Sequence, residues 1–205
     1  MRPKNTIYVT SAAEYDKYKD KLKLVPCPHC RVVGCLIGHG HLWGKGEKVQ
    51  DKVKRGWRNL CSNRNRRNGC GRTIAIIEAG FLYHRMVDAR RLWQLLKAIA
   101  DGLSIKAAWE TISSPFCLET GYRLWHAFTK GQTVIRTILL RAGSIPKTDS
   151  NDPNFQVIEH LQSVFLSAGG GSASGGKSAC PVADFQAHFQ SAFLSIHASR
   201  INRSG

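Results

Sequence analysis

The chain has 205 residues, a length that allows one large domain or two small ones. Hydrophobic residues make up 42% of it, so a packed core is feasible, and the sequence has no apolar run long enough to predict a membrane span. Lys and Arg number 30 against 14 Asp and Glu, and the net charge of +16 favours a polyanionic partner.

The positive charge is concentrated in the first half of the chain. Residues 1–85 hold 18 basic and 6 acidic residues, and the segment from Lys52 to Ile77 has eight basic residues and no acid. The alternatives are a basic surface that only aids solubility and a basic amphipathic membrane helix. The second is weaker, because this segment holds glycines and asparagines instead of a helical apolar period.

The first 24 residues contain no apolar stretch of the kind found in a signal peptide. We therefore expect a cytoplasmic, nucleoid-associated protein whose thiols stay reduced. The cysteines number seven, an odd count, and are interpreted as metal ligands or core residues instead of disulfides.

The predicted fold class is α+β, with a small zinc-ribbon β unit followed by a helix-turn-helix-like domain and C-terminal helices. Residues 1–24 form a lead-in, with a strand over Thr6–Thr10 and a helix over Ala12–Lys23 that Ser11 and Glu14 cap. Residues 25–80 form the β unit, with strands predicted over Arg31–Ile37 and Thr73–Ile77.

From Met86 the apolar residues recur at helical steps, which predicts a helical domain over residues 86–142. Its first helix ends at Gly102, and three more are predicted over Ile105–Ile112, Leu118–Phe128 and Gln132–Arg141. In the helix predicted over Leu118–Phe128, the stripe expected to be buried consists of Leu118, Tyr122, Trp125 and Phe128.

Residues 143–154 are interpreted as a polar linker and residues 155–205 as C-terminal helices interrupted by a Gly/Ser spacer at 169–176. Helices are predicted over Phe155–Leu166 and Ala183–Ile196. The second carries phenylalanines spaced by four residues. It either docks on a partner or a second copy, or folds back on its own core.

Four cysteines have the pattern of a structural metal site. Cys27 and Cys30 form a C-x2-C knuckle, and Cys61 and Cys70 form a wider C-x8-C pair. Four thiolates make a closed tetrahedral shell, so we expect one structural Zn²⁺ at these residues. A substitute for one ligand among Cys35, His29, His39 and His41 is the alternative.

The order of motifs in residues 25–80 resembles the zinc-ribbon heads of insertion-sequence transposases. The motifs are CPHC, a basic loop with Gly and His, and C…CGRT before an apolar strand. The segment GLSIKAAWETISSPFCLETGYRLWHAF resembles the helix-turn-helix that follows the ribbon there. The resemblance covers residues 25–142, with an expanded second knuckle and Gly121 inside the second helix as departures. It implies duplex DNA binding in transposition or DNA recombination.

In a helix-turn-helix the second helix enters the major groove. Arg123 is then placed to bond guanine, and Gly121 lowers helix propensity by ~1 kcal/mol but allows close approach to the sugar-phosphate backbone. An ordinary helical bundle is the alternative. The predicted nucleic-acid-binding residues are Lys52, Lys54, Arg55, Arg58, Arg64, Arg66, Arg67, Arg72, Thr120, Arg123, His126 and Lys130.

Two patterns of enzymes are set aside. Residues 171–178 match the P-loop pattern G-x4-G-K-[ST], but the preceding segment is helix-like and Pro181 follows closely, so we interpret them as spacer. The 14 acids are scattered through separate segments, which argues against a metal-dependent nuclease or transposase core.

The sequence therefore predicts a non-enzymatic, zinc-dependent DNA-binding accessory to a transposase or recombinase. A transcriptional regulator is one alternative. An RNA-binding component of a ribonucleoprotein is another, in which Trp43 and Trp57 stack on the bases of structured RNA.

Overall fold

The computed structural model describes residues 6–46, 51–64, 68–148, 150–166 and 180–194. The chain divides into two compact units, Met1–Phe81 and Leu82–Gly205. The described residues form one four-stranded sheet, in the first unit, and six helices, which confirms the α+β class. A helix able to cross a membrane is not found among the described residues.

The first unit is built from β1 (Thr6–Val9), α1 (Ala12–Asp20), β2 (Leu36–Lys45), β3 (Lys52–Cys61) and β4 (Thr73–Glu78). The sheet order is β1-β4-β3-β2, with β1 parallel to β4 and the other pairs antiparallel. The start of α1 is fixed as predicted, because Ser11 Oγ accepts a hydrogen bond from the Glu14 backbone N–H at 3.3 Å. The helix ends at Asp20, three residues before the predicted end.

The long β2–β3 hairpin is the main departure from the sequence-based expectation. The strand predicted over Arg31–Ile37 is wrong for most of its length, since β2 starts at Leu36, and β3 lies where a basic loop was expected. Most side chains of β2 are exposed, so its composition lacks the apolar alternation that identifies a half-buried strand. Backbone pairing, not burial, holds its outer part.

Helix α1 lies on one face of this sheet. The Tyr15 ring stacks on Trp57 with centroids 3.9 Å apart, and both pack with the buried Val9 and Ile76. A second cluster joins Cys27 and Cys61 to buried aliphatic side chains, namely Leu22, Leu36 and Ile74. These two small clusters are the core of the first unit, and the second contains two of the predicted metal ligands.

The second unit contains α2 (Ala89–Ala100), α3 (Ile105–Thr111), α4 (Leu118–Leu139), α5 (Pro153–Phe165) and α6 (Pro181–Phe189) around one apolar core. Helix α4 joins the third and fourth predicted helices into a single 22-residue helix. Its buried stripe is Gly121, Leu124, Phe128, Gly131, Ile135 and Leu139. Tyr122, expected in the buried stripe, is 48% exposed.

Gly121 has a different role from the predicted one. A Cβ atom at this position would lie 2.9 Å from Cδ2 of the buried Trp109, so the glycine lets α3 and α4 approach each other. Its missing side chain therefore serves helix packing, and the predicted close approach to a DNA backbone at Gly121 is wrong.

The C-terminal phenylalanines belong to the core of the second unit. Helix α6 ends at Phe189, earlier than predicted, because Gln190 adopts a left-handed conformation. Phe185 and Phe193 are fully buried, so the segment folds back on its own unit and the docking interpretation is wrong. The Gly/Ser spacer at 169–176 and the P-loop-like residues 171–178 lie outside the described residues.

Candidate functional site

The structure brings four cysteines to one point in the first unit. Cys27 and Cys30 come from the loop between α1 and β2, Cys61 is the last residue of β3, and Cys70 precedes β4. Their four Sγ atoms lie within 4.8 Å of one another. These residues could therefore hold one metal ion.

The spacing of the sulfurs fits a tetrahedral ion. The Cys27 and Cys70 sulfurs are 3.9 Å apart, and the Cys30 and Cys61 sulfurs are 3.6 Å apart. A tetrahedron of thiolates with metal–sulfur bonds of about 2.3 Å has edges of about 3.8 Å. Backbone N–H groups of His29 and Cys70 also donate to the sulfurs of Cys27 and Cys61, at 3.4 and 3.2 Å.

Glycine explains how the wide C-x8-C pair closes into a knuckle. The Gly69 N–H donates to the Ser62 carbonyl at 3.1 Å, and the Gly71 N–H donates to the Cys61 carbonyl at 2.8 Å. A Cβ atom at Gly69 would lie 2.2 Å from the Ser62 oxygen, and Gly71 has a left-handed φ of +71°. The two glycines therefore bring Cys70 back to Cys61 across the intervening residues.

The surroundings shift the pKa of three thiols in the group. A hydrogen bond from the backbone of Val32 lowers the pKa of the Cys30 thiol to about 7. Burial raises the pKa of Cys61 and of Cys70, because a thiolate in these positions loses hydration. Several thiolates this close together need a positive ion between them.

The alternative ligands lie outside the four-sulfur group found among the described residues. Cys35 is buried and donates its S–H to the Val32 carbonyl at 3.1 Å. His39 and His41 lie on β2. His29 contacts Arg72, with Nδ1 and Nη1 3.5 Å apart, and burial followed by the Arg72 charge lowers the pKa of this histidine.

Beyond the end that contributes Cys61 to the four-sulfur group, the β2–β3 hairpin carries basic and aromatic side chains. Trp43 pairs with Lys54 and Lys45 pairs with Lys52, so these four residues share one face of the ribbon. Trp43 is 60% exposed, and the Lys54 ammonium lies 4.4 Å from the Trp57 ring centroid. Two predicted residues, Lys52 and Lys54, thus lie on the same face of the ribbon as the exposed Trp43.

Arg55 and Arg58 lie away from that face. The Arg55 side chain covers Gly44, donates to the Lys45 carbonyl at 2.8 Å, and lies 5.2 Å from the Phe81 ring centroid. This predicted phosphate contact is therefore tied to its own unit. Arg58 is exposed and pairs with Ala75 on the opposite face.

Beside the four sulfurs, Arg64 and Arg72 are exposed, whereas Arg66 and Arg67 lie outside the described residues. In the second unit, Arg123, His126 and Lys130 are exposed along α4. Thr120 is half-buried, with its hydroxyl 3.7 Å from the Cys117 sulfur. The predicted nucleic-acid-binding residues therefore form separate groups in the two units.

The predicted nucleic-acid-binding set leaves out Trp43 and Lys45, which the hairpin places beside Lys52 and Lys54. The signal was present as alternation, since His41, Trp43 and Lys45 occupy every second position and so share a face in an extended strand. Glycines lie among these residues, and because glycine is depleted in strands, this segment was not predicted as a strand.

Comparison with protein-family models, with curated proteins and with solved structures gives no match for this chain.

Proposed function

We propose that the chain is a nucleic-acid-binding protein whose first unit depends on one structural Zn²⁺. One observation carries this proposal: Cys61, in the four-sulfur group, is the last residue of the same strand that carries Lys52, Lys54 and Arg58. An ion held there fixes the end of β3, and with it the register of the ribbon that presents the basic side chains. Metal binding and phosphate binding are thereby coupled.

The charge of the first unit supports a polyanionic ligand. Basic residues of this unit outnumber acidic ones about threefold, and exposed arginines stand beside the sulfurs as well as on β3. Lys and Arg side chains that neutralise phosphates release counterions, so the affinity falls steeply with salt.

Zn²⁺ is the ion that a closed shell of four thiolates most commonly holds as a structural element. The shell leaves no open position for a reacting water, so the ion's role is to stabilise the fold. A core as small as the two clusters of the first unit needs such support.

The test measures metal content and salt dependence together. Elemental analysis of the purified full chain is expected to give one zinc per chain, and binding to a labelled oligonucleotide is expected to weaken linearly in log salt. Loss of zinc on chelation is expected to abolish binding. A metal-free protein that still binds, or zinc-loaded protein that binds neither DNA nor RNA, contradicts the proposal.

A second candidate is sequence-specific duplex binding through α4, the function implied by the transposase resemblance. The exposed Arg123, His126 and Lys130 favour it, because they follow one another at three- and four-residue steps. Arg123→Gln is then expected to weaken binding to a cognate duplex about 5- to 150-fold, with Arg141→Gln as the matched control. The accessory role in transposition stays a prediction of the resemblance.

A further inference from the structure

We propose that the outer part of the β2–β3 hairpin binds single-stranded nucleic acid by stacking an unpaired base on Trp43. This inference rests on the proposed nucleic-acid function and names the form of the ligand. It concerns one face of the ribbon, which we call the Trp43 face, defined by His41, Trp43, Lys45, Lys52 and Lys54.

The composition of the Trp43 face points to a single strand. Trp43 is 60% exposed, whereas Trp57, Trp93 and Trp109 are buried. Its ring meets the His41 ring edge-on, with centroids 5.9 Å apart. Most of the indole surface is therefore still open to solvent. Bases in a duplex are already stacked on each other, so an exposed indole gains most from an unpaired base.

The charges on the Trp43 face fit a phosphate chain. Lys45 and Lys52 are exposed and directly paired, and Lys54 is paired with Trp43 itself. Asp51 is the single acidic residue within residues 36–46 and 51–61. A Cβ atom added at Gly46 would lie 2.8 Å from the Cβ of Asp51. Asp51 therefore lies with Gly44, Gly46 and Arg55 on the other face.

Side-chain contacts within the ribbon support this face. The Arg55 side chain braces the opposite side through its bond to the Lys45 carbonyl, and Lys54 lies over Trp57. From His41 to Lys45 the strand runs about 13 Å at about 3.3 Å per residue. That distance accommodates about four nucleotides at the 3.4 Å spacing of stacked bases.

The experiment uses the full zinc-loaded chain and three fluorescently labelled ligands. These are the single strand dT12, the duplex of dT12 with dA12, and the single strand rU12. Single-stranded oligonucleotide is expected to bind at least about tenfold more tightly than duplex, and to quench tryptophan fluorescence. Trp43→Ala is expected to weaken single-strand binding about 5- to 150-fold and to remove the quenching. Comparison of dT12 with rU12 identifies the preferred sugar.

The charge contribution is tested on the same ligand with a matched pair. Lys52→Gln combined with Lys54→Gln is expected to reduce the salt slope by about 1.4, whereas Lys106→Gln on α3, an exposed lysine outside the predicted nucleic-acid-binding residues, leaves it unchanged. Each variant is checked for zinc content and circular dichroism, and the exposure of Trp43 and Lys52 favours normal folding.

The outcomes separate this inference from the proposed function. Equal binding of duplex and single strand, unaffected by Trp43→Ala, overturns the stacking inference alone. Binding of neither nucleic acid overturns both proposals. Tryptophan quenching by anionic lipid vesicles in the absence of oligonucleotide binding identifies a membrane surface as the occupant and also overturns the inference.

Discussion

The Cys35 sulfur lies 3.1 Å from the Cys61 sulfur. This distance is shorter than the 3.9 Å between the Cys27 and Cys70 sulfurs and the 3.6 Å between the Cys30 and Cys61 sulfurs. That distance is too short for an edge of a tetrahedron with bonds of about 2.3 Å. The Cys35 S–H also donates a hydrogen bond to the Val32 carbonyl, at 3.1 Å. Cys35 is thus a buried neighbour of the four-sulfur group and lies outside it.

The first prediction follows from this difference. Cys35→Ala is expected to retain one metal ion per chain and to lower stability by about 1–2 kcal/mol, because a buried side chain is truncated. Cys61→Ser is expected to lose the ion, since the shell then has three thiolates. Elemental analysis of both variants distinguishes them, and loss of metal from Cys35→Ala would show that this thiol is a ligand.

A second prediction concerns removal of the metal from the intact chain. The core of the second unit contains no member of the four-sulfur group, whereas the core of the first unit contains Cys27 and Cys61. Chelation is therefore expected to remove hydrogen-exchange protection from β3 and β4 and to spare α2, α4 and α5. Hydrogen exchange followed by mass spectrometry measures this, and joint loss of protection in both units is the contrary outcome.

The third prediction compares two glycines on the buried side of α4. At Gly121 a new Cβ would lie 2.9 to 3.1 Å from three ring atoms of Trp109, which its bond to the Phe116 carbonyl holds in place. Gly121→Ala is therefore expected to destabilise the second unit by about 1–3 kcal/mol. The opposing gain in helix propensity is up to about 1 kcal/mol.

Gly131→Ala is the matched control, because its Cβ would meet only Ile135 Cδ1, at 3.8 Å. This change is expected to be neutral or to stabilise by up to about 1 kcal/mol. Thermal unfolding of the two variants gives the comparison. If both substitutions raise the midpoint, the close approach of α3 and α4 does not require a glycine at 121.

The four clustered cysteines could be selected from sequence because ligand spacing and flanking glycines are local features. The exposed hairpin could not, because β2 pairs with β3 through backbone groups while most of its side chains face solvent. The two helices predicted over Leu118–Phe128 and Gln132–Arg141 form the single helix α4, in which Gly131 lies in the buried stripe. The role of Gly121 depends on Trp109, twelve residues away, and only packing reveals such a partner.

The last prediction is a pH dependence in the second unit. His160 is 1% exposed, its Nε2 lies 3.2 Å from the Gly143 carbonyl, and its Nδ1 has no hydrogen-bond partner among the described residues. Burial, together with the Arg136 charge, lowers the pKa of this histidine despite the bond to Gly143. Below about pH 6.5 the unfolded chain therefore binds a proton that the folded chain does not.

The stability due to neutral His160 is thus fully present above about pH 6.5 and is lost as the pH falls toward the lowered folded-state pKa. The free energy of unfolding is expected to drop between pH 7.5 and 5.5, by at most about 1.4 kcal/mol per pH unit from this group. His160→Gln is expected to flatten that dependence, while His126→Gln on the exposed side of α4 controls for surface charge. Urea unfolding at several pH values measures the slopes, and equal slopes for His160→Gln and the unmodified chain would assign the dependence to other groups.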